Sequence, residues 1–146
     1  MNKMNIFLLA LMLLFMAANF ESCDLGPKSI EYTFENLLGD TVTVEVLKGE
    51  GANSSFSESG GAWYVRLEGL DPIRLNVEGT IAGYVWTFTN LTGTGPNVTV
   101  TGTGGGIANA AHPDAMSISG NIEFTVQFTG GSTQTVYDTW NGYRTR

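Results

Sequence analysis

A chain of 146 residues with one cysteine and one histidine has few routes to covalent chemistry. His112 is the sole candidate general base, and it stands in Ala111-His112-Pro113-Asp114, a segment with no regular apolar period. A serine or cysteine nucleophile needs such a base within hydrogen-bond reach and a third group to orient it, and no nucleophile-elbow motif supplies the serine. Zinc fails on ligand count, because one histidine and one cysteine cannot fill a protein site. Paired carboxylates could hydrolyse a glycoside. Glu31, Glu45, Glu68, Glu78 and Glu123, however, alternate with apolar residues, as on the solvated face of a sheet. The alternating Asp/Asn run of a calcium loop is missing. Gly102-Thr103-Gly104-Gly105-Gly106 lacks the Lys-Ser/Thr that completes a phosphate loop. No enzyme activity, metal or cofactor is expected from these residues.

Cys23 is another matter, because of what precedes it. Lys3 lies in a short polar opening, and an unbroken apolar run of thirteen residues follows from Ile6 to Ala18. A helical membrane span needs about 20 apolar residues, whereas a run of roughly 10–14 is typical of a secretory leader. The run ends at Phe20-Glu21-Ser22-Cys23-Asp24, and Ser22-Cys23 resembles the end of a bacterial lipoprotein signal peptide, of the relaxed Bacteroidetes kind. Phe20 and Glu21 depart from the usual residues before that pair. The resemblance covers the first 23 residues. It implies that 1–22 is removed and that Cys23 carries diacylglycerol as a thioether, its freed amine taking a further acyl chain. Two or more chains give stable anchoring where one does not. The resemblance thus implies an outer-membrane location on the periplasmic or the cell-surface side. Asp24 to Lys28 carries one acid and one base, not the acidic cluster usual in surface-exported members, so the face stays open.

The remaining chain is acidic. Lys3 and Glu21 leave together, so the formal charge stays at −7. With no Lys/Arg cluster, nucleic acid is not an expected partner. The tether at 23–29 is short: its residues span roughly 20 Å at about 3.3–3.6 Å each. One domain over 30–146 follows.

That domain reads as strands. Ile30, Tyr32 and Phe34 alternate with Glu31, Thr33 and Glu35; Val42, Val44, Val46 and Ile122, Phe124, Val126, Phe128 repeat the pattern. Period two with one polar face marks antiparallel sheet. Further runs begin at Trp63, Ile73, Tyr84, Val98 and about Thr133. Short Gly-containing connections join most of them, and Gly130-Gly131 suits a tight hairpin. The expected fold is all-β, an antiparallel β-sandwich of about seven or eight strands, because Gly reads as marking turns and not repeated corners. A small eight-stranded meander barrel is the alternative. Two long connections, 48–62 and 104–119, read as loops, either mobile or forming a binding rim.

Rings carry the remaining signal. Tyr32, Phe34, Trp63, Trp86, Phe88, Phe124 and Phe128 fall on the apolar side of their strands and are core candidates. Tyr64 falls on the polar side, and Trp140 and Tyr143 stand among polar residues near the C-terminus. Tyr64, Trp140, Tyr143 and the loop residue His112 are therefore the candidate ligand contacts. Asp40-Thr41-Val42 resembles the short motif at which Bacteroidetes O-glycosylate exported proteins, which makes Thr41 a candidate glycan site. The expected role is non-catalytic binding of a glycan or an envelope protein by a lipid-anchored domain. A structural subunit of an envelope complex, or a barrel carrying a small apolar ligand, are the other readings.

Overall fold

The computed structural model describes residues 29–47 and 52–146. The leader, Cys23 and the tether before Ser29 lie outside them. The described chain is all strand and turn. Its elements are β1 (Ser29–Asn36), β2 (Thr41–Leu47), β3 (Asn53–Gly61), β4 (Tyr64–Val65), β5 (Ile73–Arg74), β6 (Asn76–Ala82), β7 (Val85–Gly95), β8 (Val98–Ala108), β9 (Ser117–Phe128) and β10 (Thr133–Arg144). Eight of them close a barrel in the order β1-β10-β9-β8-β7-β6-β3-β2, while β4 and β5 form a separate hairpin-like pair. All barrel pairings are antiparallel. Chain neighbours are wall neighbours throughout, apart from the β4–β5 excursion, so this is an up-and-down barrel.

The all-β antiparallel class is as expected, and of the two architectures the meander barrel is the one formed. A sandwich would leave β1 and β10 as edges. Here they pair over Tyr32↔Arg144 to Asn36↔Trp140. Of the two stretches read as loops, the described residues 52–62 and 104–119 are mostly strand. β3 runs through the first, and β8 and β9 extend into the second, leaving only 109–116 as a connection.

Up-and-down connectivity sorts the connections to two ends. The segments at 37–40, 62–75, 96–97 and 129–132 lie at one end, here called distal. Ser29, Arg144 and the connections 83–84 and 109–116 lie at the other, called proximal. The C-terminus is tied in there, with the Glu31 and Arg146 backbones exchanging N–H···O bonds of 3.0 and 3.2 Å.

The interior is filled with rings. Phe34 lies 4.7 Å from Trp140 between centroids, Tyr32 lies 4.9 Å from Trp86, and Phe88 lies 5.1 Å from Trp140. Such tilted and edge-on pairs add about 0.5–1.5 kcal/mol each beyond the area they bury. Glycines in strand interiors make the room. A Cβ on Gly79 would lie 2.2 Å from Phe56 Cζ, and one on Gly102 would lie 2.7 Å from Phe124 Cε1. Two bulges adjust the wall around these rings. Thr43 pairs with Gly60 but Val44 with Glu58, leaving Ser59 extra on β3. Glu78 pairs with Asn90 but Gly79 with Phe88, leaving Thr89 extra on β7. The second bulge lets both Phe88 and Leu91 face inward despite their odd spacing.

Both ends are plugged by the chain itself. Distally, the 62–75 excursion inserts Trp63, Val65, Ile73 and Leu75, all buried. Trp63 Nε1–H donates to the Phe34 carbonyl at 3.1 Å. Proximally, the 109–116 connection buries His112 and Ala115, and the Tyr32 hydroxyl donates to the Ala115 carbonyl at 2.7 Å. Burial pushes the Tyr32 hydroxyl pKa up. The outer wall is rich in Thr, Ser and Glu, which is the reverse of a barrel that spans a bilayer with an apolar exterior.

Candidate functional site

The ring candidates separate on folding. Trp140 is in the core, 1% exposed, with Nε1–H donating to the Gly105 carbonyl at 3.2 Å. It belongs to the packing, not to a ligand surface. His112 is buried in the proximal plug, its backbone N–H donating to the Gly83 carbonyl at 3.1 Å. Tyr64 is half-buried at the distal end, and Tyr143 is exposed at the proximal end, so these two are not brought together. Thr41 is exposed at the start of β2. Cys23 lies outside the described residues. Among the described residues no group of three or more His, Cys, Asp or Glu side chains is placed to hold a metal ion.

At the distal end a polar clasp holds two leucines outward. Asn36 begins it: its Oδ1 accepts the Asp40 backbone N–H at 2.9 Å, and its Nδ2 donates to Asp40 Oδ2 at 3.2 Å. Gly39 takes φ +89°, a conformation that closes the turn and that side-chain-bearing residues rarely adopt. Arg66, from the excursion, grips Asp40 with both terminal nitrogens, Nη2 to Oδ1 at 2.8 Å. The same guanidinium lies 5.5 Å from the centre of the Tyr64 ring. Leu37 and Leu38 sit at the tip of this clasped turn, 74% and 65% exposed. Leu70, on the excursion, is also exposed. The sequence marks Tyr64 here as a candidate contact, whereas Leu37-Leu38-Gly39-Asp40 reads only as a short hairpin connection, so the leucines carry no signal of their own.

The clasp makes the fold pH-sensitive. The hydrogen bonds from Arg66 hold the Asp40 carboxyl below its usual range, against some desolvation, with Asn36 and the Arg66 charge adding to them. A carboxylate with a lowered folded pKa stabilises the fold fully above its unfolded value of about 4 and loses that contribution as pH falls through the lowered one. Asp40→Asn is therefore expected to be less stable than the native chain at neutral pH, with the difference closing in acid. Urea midpoints followed from neutral pH downward check this; a difference independent of pH would refute the clasp.

The second surface lies on the wall near the proximal end. Val85 of β7 pairs with Ile107 of β8, Ile107 with Ser119 of β9, and Ser119 with Asn141 of β10. Ile107 and Tyr143 line one depression with Ser119 and Asn141; Val85 and Ile107 line the adjoining one, which is floored by Gly104–Gly106 and Gly120. The glycine run thus forms strand and groove floor. Val85, Ile107 and Tyr143 are all exposed. Compared with known proteins, the chain matches no family model, no curated protein and no solved structure.

Proposed function

We propose that this chain is a lipid-anchored cell-envelope domain whose role is non-catalytic binding, with a protein as the partner and the distal end as the surface that meets it. The observation that carries the reading is the pair Leu37 and Leu38, presented outward by a turn that three side chains fix. Exposed apolar side chains on a rigid mount, rimmed by charge, are what protein partners cover. A glycan would call for open ring faces, and the ring at this end, Tyr64, already has Arg66 beside it. The carrier reading needs an interior chamber, and the barrel's interior holds the rings of Phe34, Phe56, Trp86, Phe88 and Trp140. Supporting the anchor, the first described residue, Ser29, enters at the opposite end, six residues after Cys23.

Two measurements test the two halves. Cys23→Ala is expected to move the protein from the membrane to the soluble fraction and to abolish labelling by a fatty-acid probe; a mutant that stays membrane-bound and labelled overturns the anchor. A photo-crosslinking residue at Leu38 in intact cells is expected to give a discrete protein adduct, and the same residue at Thr101, exposed on the wall, is expected to give none. Near-stoichiometric adduct would mark a subunit of an assembly, and a minor fraction a transient partner. No adduct at Leu38 would sink the distal surface.

A further inference from the structure

The exposed large apolar side chains outside the distal end gather, with the exception of Tyr137, around the proximal one. Tyr84, Val85, Ile107, Met116 and Tyr143 are all exposed there. Secondary structure knits them into one rim: Val85 pairs with Ile107, the Ala108 N–H donates to the Tyr84 carbonyl at 2.8 Å, and the Arg144 N–H donates to the Met116 carbonyl at 3.0 Å. Their strands β7 to β10 are consecutive around the barrel, so the rim occupies one side of this end. The opposite side, on β1 and β2, carries Glu31 and Glu45 with Arg146 between them at 3.4 and 3.8 Å.

We propose that this rim rests on the lipid surface to which the chain is tethered, so that the barrel leans on its β7–β10 side with the distal end turned away. The inference rests on lipidation at Cys23 and deepens that reading by stating which residues touch lipid. The occupant follows from where the undescribed chain begins. Ser29 is at the proximal end and is the sixth residue after Cys23, a reach of roughly 20 Å. The tether therefore holds this end, and no other, within its own length of the bilayer. Leu38 lies a strand's length further off, beyond the eight residues of β1, which span about 26 Å. The residue types fit as well. Tyrosine places an apolar ring and a polar tip at headgroup depth, while Ile, Val and Met add buried area without charge. Arg144 and Arg146 stand at this end beside Glu31, Glu45 and Asp114, and the sequence adjoining the ends of β1 and β2 adds Lys28 and Lys48 with Asp24 and Glu50, so the charges nearly balance here. The distal connections carry Asp40, Glu68 and Asp71 against Arg66 and Arg74, so the two ends differ little in charge and the tether and the apolar rim decide the seating.

Lipidated protein gives the test directly. With Cys23 consumed as a thioether, Met116→Cys and Ile107→Cys each supply one free thiol for an environment-sensitive fluorophore, and Leu38→Cys supplies the distal control. Each is reconstituted into phosphatidylethanolamine–phosphatidylglycerol vesicles with quenchers placed near the headgroups. The expected result is a blue-shifted, quenched signal at 116 and 107 and an unshifted, unquenched one at 38. Two rim positions keep the test decisive if one variant folds poorly, which its tryptophan emission reports. If the protein floats with the vesicles yet 116 and 107 behave like 38, the proposed seating is wrong and the anchor stands. If it does not float, the anchor itself fails and the seating with it.

Discussion

Phe34→Ala is expected to remove about 3–5 kcal/mol of folding stability, the usual range for an aromatic deleted from a core. The reason is the number of rings that share it. Phe34 is fully buried, and its ring meets those of Phe56, Trp63, Trp86, Phe88 and Trp140 at centroid distances from 4.7 to 6.1 Å. Deletion leaves a void lined by large, flat side chains on a wall that hydrogen bonds close all the way round. Such a wall yields little, so the void persists and the lost contacts are not remade. Against a typical total of about 5–15 kcal/mol for a domain, this is a large share. Urea unfolding followed by tryptophan emission measures it, with Tyr137→Ala on the outer wall, 73% exposed, expected within about 0.5 kcal/mol of the native chain. A loss under about 1.5 kcal/mol for Phe34→Ala would mean that the rings do not form one packed unit.

Gly120→Ala is expected to be as damaging by the opposite route, adding one methyl group where there is no space. The new Cβ would lie 1.8 Å from the Gly105 carbonyl oxygen and 2.6 Å from Gly106 Cα. Both obstacles are backbone of β8, the strand with which β9 pairs from Val98↔Phe128 to Ala108↔Ile118. A flexible side chain could swing aside, but a paired strand moves only by breaking its ladder. Overpacking usually costs about 1–3 kcal/mol, and here the upper end or beyond is expected. Gly130→Ala is the matched control, since its Cβ meets nothing within 4 Å. Equal unfolding midpoints for the two variants would show that β8 and β9 are not this close.

The fold class was legible because period two survives across most of the wall. β1, β2 and the second half of β9 show it plainly. Closure was not legible, for reasons visible residue by residue. Glycines that read as punctuation stand inside strands, Gly79 against Phe56 and Gly102 against Phe124, where they make space for rings. β3 escaped notice because Asn53–Gly61 buries only one large apolar side chain, Phe56; its neighbours β2 and β6 hold it in place, not its own pattern. The bulges at Ser59 and Thr89 each shift the alternation by one, so Phe88 and Leu91 look out of phase until the pairing is known. Among the site candidates, Tyr64 and Tyr143 are surface residues, but on opposite ends of the barrel. Trp140 lies among polar neighbours because its strand is polar outward, while its own position points in. The two leucines of the distal turn, and the rim made by Val85, Ile107 and Tyr143, depend on which ends of which strands meet, and no local pattern encodes that.

The pairing of β1 with β10 has a consequence for how the molecule is made. Every other neighbouring pair in the wall is also close along the chain, so partial sheets can assemble as synthesis proceeds. Each of those partial sheets still has two raw edges, with backbone N–H and C=O groups open to any other strand. The last seam joins Tyr32 to Arg144, and it is the contact of longest sequence separation, the kind that slows folding most. The chain thus stays adhesive until its final strand arrives and becomes inert in one step when the ring shuts.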